Sequence, residues 1–254
     1  MSEIALEKNN VKKKKMDSPI VWVSKRIRLA RKLINLQFKL NNKKIKEGFE
    51  LHSIQNVEEE DQMYQLRYRV YCEEYNYLDP KNYPDKREKD VYDPYSVHFV
   101  ILNKNNSHES VIGTVRIIRN SKVGFPLENN FKIDLNSRNI PRDSLIELSR
   151  LVIDKKYRID NYMLDLVREL YHYVKRFKIE YVYSVMDERL FMPLQKMQYP
   201  FVKIGNTTQY QGSTTPFLLK VSDMENGLLK ENPKMYYYLL EGLEDRYKPN
   251  FAKD

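Results

Sequence analysis

Charged residues that can move a proton or hold an anion are concentrated in four short runs of the chain. The runs are Leu66-Arg67-Tyr68-Arg69-Val70-Tyr71, Asp90-Val91-Tyr92-Asp93, Gly113-Thr114-Val115-Arg116 and Glu147-Leu148-Ser149-Arg150. The last two lie in stretches typical of strands, where an ionised side chain is costly to bury unless it is paired. Two interpretations follow. Either these are edge strands with solvated charges, or Glu147, Arg116 and Arg150 meet the loop aspartates in a polar cleft.

The elements that would position these residues alternate between strands and helices. Runs rich in β-branched and aromatic residues predict strands near residues 49–56, 96–102, 111–119, 144–153, 179–186 and 216–221. Helical periodicity predicts helices over residues 58–75 and 159–177, and Asp187 can cap a third that ends near residue 197. Residues 76–94 hold prolines and many charges and should form a long loop, and such loops are often functional.

The order of these elements predicts the sheet. Strand–helix–strand units suggest parallel pairing, and the turn at Asn105-Asn106 suggests an antiparallel hairpin. We therefore expect an α/β fold with a mixed central sheet flanked by helices. In the helix over residues 159–177, one face should be buried, and it would comprise Met163, Val167, Leu170, Val174 and Phe177.

Charge divides the chain unevenly. Residues 1–48 hold 14 Lys and Arg and 4 Asp and Glu, a net charge of +10, whereas the whole chain is +9. Residues 19–40 predict a basic amphipathic helix that either lies on an anionic membrane or packs on its own domain. We expect three parts: a basic arm over 1–48, an α/β domain over 49–221 and a C-terminal helical extension over 222–254. A nucleic-acid partner is disfavoured because the basic charge is not on the folded body.

Cysteine usage and hydropathy bear on the compartment. Cys72 is the only cysteine in the sequence, which fits a reducing environment. No secretory signal or long apolar run is visible, so we expect a cytoplasmic protein, with peripheral contact at the inner membrane as an option through residues 19–40. Four scattered histidines give no metal-ligand spacing, so no metal site is expected.

The motifs resemble those of a known group of enzymes. Arg67, Glu73, Tyr77 and the last three runs named above are similar to acyl-homoserine-lactone synthases in order and spacing. The likeness is closer to the related N-acyl amino acid synthases and exosortase-associated acyltransferases, on three further segments. These are Asp93-Pro94-Tyr95-Ser96-Val97-His98-Phe99, Pro126-Leu127-Glu128 and Tyr210-x-Gly212, and the resemblance covers about residues 50–220.

The resemblance implies a fold of the GCN5-related N-acetyltransferase (GNAT) type. It also implies an enzyme that acylates an amine from an acyl thioester, usually carried on acyl carrier protein, with no permanently bound cofactor. Acceptor-binding residues in this scheme are Arg67, Tyr71, Tyr77, Asp90 and Asp93. The lactone synthases usually have tryptophan where this chain has Tyr77. That difference puts S-adenosylmethionine chemistry in doubt and favours an amino-acid acceptor.

The turn after the Glu147 strand bears on the donor. Coenzyme A users cradle the pyrophosphate with backbone N–H groups at a glycine-rich helix start. Residues 154–163 contain no glycine, and Asp154 and Asp160 would repel a pyrophosphate. We therefore expect acyl carrier protein, an acidic partner, to be met by Lys155, Lys156 and Arg158. An atypical coenzyme A site and a merely solvated turn remain alternatives.

The chemistry assigns further roles. Glu147 is the candidate base, acting on the ammonium directly or through water, and a partly apolar cleft would raise its pKa. Backbone N–H groups from Ser149 through Leu151 to Val152 would polarise the thioester carbonyl. Arg116 and Arg150 would either hold the acceptor's carboxylate or pair with Asp93 and Glu147. Arg67 with Asp90 would pin the long loop over the cleft.

Other functions fit parts of the sequence. A lactone-type signal synthase would consume S-adenosylmethionine. A catalytically inactive GNAT-like module could be recruited to a membrane or an acidic partner by its basic arm. The charged set could also be a buried network that only orders the fold, since structural ion pairs perturb pKa values too.

Overall fold

The computed structural model describes residues 45–105, 110–134 and 139–249. The predicted amphipathic helix over residues 19–40, and most of the basic arm, lie outside the described residues. Within the part that is described, no helix has the length and apolar character needed to cross a membrane.

Eight strands and six α-helices make up the described chain. The strands are β1 (Phe49–Ser53), β2 (Ser96–Asn103), β3 (Ser110–Arg119), β4 (Leu145–Ile153), β5 (Tyr181–Met186), β6 (Val202–Lys203), β7 (Thr208–Gln209) and β8 (Ser213–Lys220). The helices are α1 (Val57–Tyr68), α2 (Pro126–Asn130), α3 (Tyr162–Arg176), α4 (Glu188–Lys196), α5 (Val221–Glu231) and α6 (Pro233–Leu240). The predicted α/β class, the mixed sheet and the C-terminal helical segment are confirmed.

The sheet runs in the order β1-β2-β3-β4-β5-β8-β6, with β7 paired to β8. Only β4 and β5 are parallel among the registered neighbours, and the other pairs are antiparallel. The parallel pairing predicted for strand–helix–strand units is therefore confirmed for β4 and β5. It was wrong for β1 and β2, which pair antiparallel. The β2–β3 hairpin is confirmed.

Helix α1 begins at a side-chain cap and continues into a π-helix. The Asn56 side chain accepts a hydrogen bond from Glu59 N at 2.9 Å and donates to Glu59 Oε1 at 2.8 Å, a reciprocal cap. After Tyr68 the chain continues as a π-helix over Arg69–Glu74, where an α-helix was predicted to continue. π-Helical turns are rare in proteins, and those that occur are often found at functional sites.

Both faces of the sheet are covered. Helix α1 buries Met63 and Leu66, and the π-helix after it buries Val70, against the cluster formed by Val100, Leu102, Val111 and Val152. Helix α3 lies on the opposite face, where Tyr173 meets Phe99 edge-on with ring centroids 6.2 Å apart. The predicted buried face of α3 was partly wrong, because Met163 and Phe177 are 40% and 48% exposed. Leu170 and Val174 are buried as expected.

Candidate active site

Three arginines from three separate elements converge on the loop that precedes β2. Arg67 comes from α1, Arg116 from β3 and Arg150 from β4, and all three are at most 8% exposed. Their partners are Glu88, Asp90 and Asp93 of the loop. The set holds equal numbers of cations and anions, so its burial leaves no net charge in the interior.

Arg67 fixes the loop to the helix. Its Nε donates to Glu88 Oε2 at 2.5 Å, and its Nη1 and Nη2 donate to Asp93 at 2.7 and 3.1 Å. The expected pairing of Arg67 with Asp90 was wrong, because Asp90 bonds to the two strand arginines instead. The loop is nevertheless pinned by Arg67, through Glu88 and Asp93.

Arg116 joins the loop to the neighbouring strand. Its Nη1 donates to Asp90 at 2.7 Å and to Asp93 at 2.8 Å, and its Nε donates to Ser149 Oγ at 2.9 Å. Ser149 is the registered partner of Arg116 across the β3–β4 ladder. Arg116 is therefore held between a loop and a strand, and its predicted pairing with Asp93 is confirmed.

Arg150 occupies an unusual backbone position. The register between β3 and β4 shifts here, and Arg150 adopts φ +53, an uncommon conformation for a long side chain. Its guanidinium donates to Glu88 at 2.8 Å, to Asp90 at 3.0 Å and to Gln211 Oε1 at 2.9 Å. The group also lies over the Tyr71 ring, 5.3 Å from the centroid. A bulge that re-aims a side chain is a common feature beside active sites.

The arginines govern the ionisation of the loop carboxylates. Burial alone would raise the pKa of Glu88, but Arg150 and Arg67 outweigh it and lower that pKa to about 2. Asp93 is also desolvated, yet Arg67 and Arg116 hold its pKa well below its usual range. Both groups are therefore anions at neutral pH and are committed to the arginines.

Glu147 stands apart from this network. It is 1% exposed, and its Oε2 accepts the backbone N–H of Leu127 at 2.9 Å. No arginine of the described chain lies within ion-pairing distance of it, so the suggested pairing of Glu147 with Arg116 or Arg150 was wrong. Burial raises the pKa of Glu147 to about 8, against the opposing effect of the Leu127 N–H and the nearby arginines. A carboxyl with such a pKa can exchange a proton near neutrality.

Glu147 lies just before β4 and β5 separate. Their parallel register ends with Leu148 opposite Ser184, whereas β4 continues to Ile153. The β4 backbone groups that follow Leu148 and point towards β5 therefore have no ladder partner there. Such groups can donate to a ligand oxygen that enters between the strands.

A tyrosine and a hairpin border the cluster. Tyr77 OH donates to Asp187 Oδ2 at 2.9 Å, and Asp187 also caps α4 by accepting Leu190 N at 2.9 Å. The β7–β8 turn reaches the same place, since a Cβ built on Gly212 would lie 3.1 Å from the Tyr77 ring. The predicted acceptor residues Tyr71 and Tyr77 are thus next to the cluster, with their rings 6.4 Å apart.

The predicted donor residues fall into two groups. Lys155 and Lys156 are exposed in a short 3-10 turn, where the Asp154 side chain accepts Lys156 N at 3.0 Å. Arg158 is instead tied to Glu74, through Nη2 and Oε2 at 2.7 Å, and donates to Ile153 O at 2.8 Å. In β4, Leu151 is half-buried and Val152 is buried.

Sequence reasoning missed three residues of the site. Glu88 is fully buried but sits in the run Arg87-Glu88-Lys89, which has the composition of a solvated loop. Gln211 bears no charge and Asp187 was assigned only as a helix cap. For Glu88 the sequence offered one signal: it is an acidic residue two positions before Asp90, in a long loop of the kind that is often functional.

Comparisons with known proteins agree with this architecture. Residues 66–168 match the family model of the acetyltransferase (GNAT) domain. The solved structure of BjaI, a CoA-dependent acyl-homoserine lactone synthase with SAM and isopentyl-CoA, is 19% identical, with a TM-score of 0.60 over 79% of this chain and 90% of its own. No curated protein matches the sequence.

Two further solved structures share the fold. FeeM, an N-acyl amino acid synthase from uncultured soil microbes, is 13% identical, with a TM-score of 0.51 over 70% of this chain and 94% of its own. The AHL synthase LasI is 16% identical, with a TM-score of 0.53 over 72% of this chain and 97% of its own. The expected GNAT-type fold is confirmed, and at these identities the likeness to the solved structures speaks to fold alone.

Proposed function

We propose that this chain, in which residues 66–168 match the acetyltransferase (GNAT) domain and whose fold is similar to that of solved acyl-homoserine lactone synthases, moves an acyl group from a carrier-protein thioester to the amine of an amino acid. The observation that carries this proposal is Glu147, a buried carboxyl with a pKa of about 8 at the point where β4 and β5 part. A proton acceptor beside an open strand edge suits attack of an amine on a thioester.

The reaction balances with the groups present. Glu147, in its ionised form, takes a proton from the acceptor's ammonium, directly or through one water. The neutral nitrogen then bonds to the thioester carbon, and backbone N–H groups between Ser149 and Val152 on the β5 side stabilise the oxyanion. The carbon–sulfur bond breaks as the amide forms. The leaving thiolate takes the second proton of the acylated nitrogen and departs as a thiol. Glu147 then releases its own proton to solvent and is ionised again.

The cation cluster supports an acceptor that carries a carboxylate. Arg116 bonds to Ser149 through Nε and to Asp90 and Asp93 through Nη1, so we assign it to positioning the loop and strand. Arg150 differs, because its Nη1 bonds to the neutral amide of Gln211 on the β7–β8 turn, which borders the predicted acceptor residue Tyr77. A carboxylate can pair with a guanidinium through charge and through two parallel hydrogen bonds, which a neutral amide oxygen cannot do. Arg150 is therefore the group that would hold the acceptor's acid end.

The turn after β4 supports a carrier-protein donor. Asp154 and Asp160 flank it, and the segment between them has no glycine that would let a pyrophosphate approach the backbone. Lys155 and Lys156 are exposed and suit an acidic protein. Because Arg158 is held by Glu74, we assign it to the shape of the turn and leave recognition to the two lysines.

The test offers each donor to each acceptor class. Purified protein is incubated with long-chain acyl carrier protein or with the matching acyl coenzyme A, together with a pool of amino acids, and acyl amides are measured by mass spectrometry. A parallel arm adds S-adenosylmethionine. Amide formation from acyl carrier protein supports the proposal. Amide formation from acyl coenzyme A but not from acyl carrier protein would contradict the proposal that a carrier protein is the donor.

The other outcomes separate the rivals. A lactone with loss of S-adenosylmethionine would identify a lactone-type synthase. Folded protein that gives no product from any pair would indicate a binding module without catalysis. Removal of residues 1–48 then distinguishes a tether from a catalytic part, because a tether's loss abolishes vesicle binding and leaves turnover in solution unchanged.

A further inference from the structure

The tip of the β7–β8 hairpin touches the arginine cluster at one polar contact. Tyr210, Gln211 and Gly212 connect Gln209 to its registered partner Ser213. Gln211 Oε1 accepts a hydrogen bond from Arg150 Nη1 at 2.9 Å. The chain thus returns from the far edge of the sheet to place one amide group against Arg150.

The backbone at this tip is constrained. Gln211 adopts φ +48 and Gly212 adopts φ +97, both in the region that disfavours residues with a Cβ atom. Asparagine tolerates this region better than glutamine does. The turn is held by Thr214 Oγ1, which donates to Tyr210 O at 2.7 Å, and by contact of Gly212 with Tyr77. A glutamine in this conformation therefore suggests a use for its side chain.

Gln211 is the neutral partner of Arg150. The other partners, Glu88 and Asp90, are carboxylates of the balanced cluster. The contact at Nη1 is also only partly buried, whereas the contacts with Glu88 are buried. A guanidinium prefers a carboxylate to an amide, so the Nη1 position is the one where an incoming anion gains most.

We propose that Gln211 determines specificity for the acceptor: its amide occupies Arg150 Nη1 in the free protein, and the carboxylate of the amino acid replaces it there. This inference rests on the proposed function, and it names the atom that recognises the acid end. An acceptor with an uncharged end lacks the bond strength to displace the amide. Tyr71, under the same guanidinium, keeps Arg150 in place during the exchange.

The decisive variant is Gln211→Glu. A carboxylate tethered at this position occupies Nη1 at a high effective concentration and gives the cluster a net negative charge. KM for amino acids should rise by about tenfold or more, which is about 1.4 kcal/mol of acceptor binding. KM for the matching amino acid amides should change by less than about threefold, and kcat at saturating acceptor should be retained.

Two further variants control for the backbone and for added charge. Gln211→Asn suits the positive φ but is one methylene too short to reach Arg150, so it should fold at least as well and should not raise KM for amino acids. Gln209→Glu makes the same chemical change on exposed β7, two residues away, and should leave both KM values unchanged. Equal effects of Gln211→Glu on acids and amides, or no effect on either, would overturn the inference.

A second measurement does not depend on catalysis. The thermal midpoint is recorded for the wild type, Gln211→Glu and Gln209→Glu with each amino acid or its amide and no acyl donor. We expect an amino acid, but not its amide, to stabilise the wild type and Gln209→Glu, with the shift lost in Gln211→Glu. If no amino acid stabilises the wild type, or if Gln211→Glu keeps the shift, the inference fails. Absence of acyl product in the presence of such shifts would count against the proposed function alone.

Discussion

Glu88 Oε1 accepts a hydrogen bond from Arg150 Nη2 at 2.8 Å, although the two residues are 62 positions apart in the chain. The other Glu88 oxygen binds Arg67 of α1. One loop carboxylate therefore joins the helix to the bulged strand. The loop before β2 is part of the site because this residue bridges two buried cations.

Glu88→Gln should destabilise the fold strongly. The variant keeps the shape of the side chain but leaves the buried cluster with an unbalanced positive charge, and breaking a buried pair in this way costs about 3–5 kcal/mol. The measurement is the urea midpoint at neutral pH. Asp61→Asn is the matched control, because Asp61 pairs with Arg87 at the surface and should hardly move the midpoint. Equal midpoints for Glu88→Gln and the wild type would remove Glu88 from the structural role.

Glu88 and Glu147 differ in whether the sequence alone could identify them as site residues. Glu147 and Arg116 lie within β-rich runs, where a charge stands out against its neighbours, and both were identified as site residues. Glu88 lies among charged neighbours, so local pattern gave it no distinction. Its burial follows from the path of residues 76–94, which is fixed by tertiary contacts rather than by periodicity.

The irregular backbone features of the site could not be predicted from the residue pattern either. The bulge at Arg150 depends on the register with β3. The π-helix over Arg69–Glu74 follows directly after α1, within a stretch whose pattern predicts a continuous α-helix. Gln211 reaches the site through hairpin geometry and not through sequence proximity. The positions of the longer strands and of the main helices follow from hydrophobic pattern and turn residues, whereas the antiparallel pairing of β1 with β2 does not.

The acyl-transfer rate should rise with pH through about 8. Glu147 acts as a base only when ionised, and burial raises its pKa to about 8, so most of it is protonated at neutrality. The pH profile of kcat/KM for the acceptor measures this. Glu147→Gln should lower kcat by about a hundredfold or more and remove the rise, whereas Glu50→Gln on exposed β1 should change neither. A pH-independent wild type would exclude Glu147 as the base.

Stability should depend on pH through the same carboxyl. Between the usual pKa of 4.5 and the folded pKa of about 8, the folded protein keeps a proton on Glu147 that the unfolded chain has lost. Stability therefore falls as pH rises through this window. The thermal midpoint of Glu147→Gln relative to the wild type should increase between about pH 5 and about pH 9. A constant difference would show that Glu147 does not titrate there.

At acid pH, stability should change with pH in the opposite direction. The folded pKa of Glu88, about 2, lies below its usual value of 4.5, so its contribution is present above that value and is lost as pH falls towards 2. The wild type should therefore lose stability across this range. Glu88→Gln should show a shallower loss, recorded as thermal midpoints over the same acidic buffers. Parallel curves for the two proteins would contradict the assignment.

Charge reversal of the turn after β4 should act on the carrier protein alone. Lys155→Glu with Lys156→Glu places two anions where an acidic carrier would approach, which slows encounter and weakens binding. KM for acyl carrier protein should rise by about tenfold or more, which corresponds to about 1.4 kcal/mol, while KM for an acyl-pantetheine donor should not change. Lys234→Glu on exposed α6 is the control and should leave both values unaltered. An equal rise for both donors would indicate a damaged site rather than a lost protein contact.

Gly212→Ala should disturb the acceptor side of the site. The new Cβ would lie 3.1 Å from Tyr77 Cε1 and 3.2 Å from Cδ1, at a backbone φ of +97. Either the hairpin tip or the Tyr77 ring must move, and the Tyr77 hydroxyl bond to Asp187 then weakens. We expect a rise in acceptor KM of about tenfold, or about 1.4 kcal/mol, with a lower thermal midpoint. Gly124→Ala is the control for backbone strain without a steric clash. Gly124 has φ +68, but the atom nearest to a Cβ built on it is 3.9 Å away. That control should lower the midpoint and leave acceptor KM unchanged, and a shared KM effect would show that strain alone explains both variants.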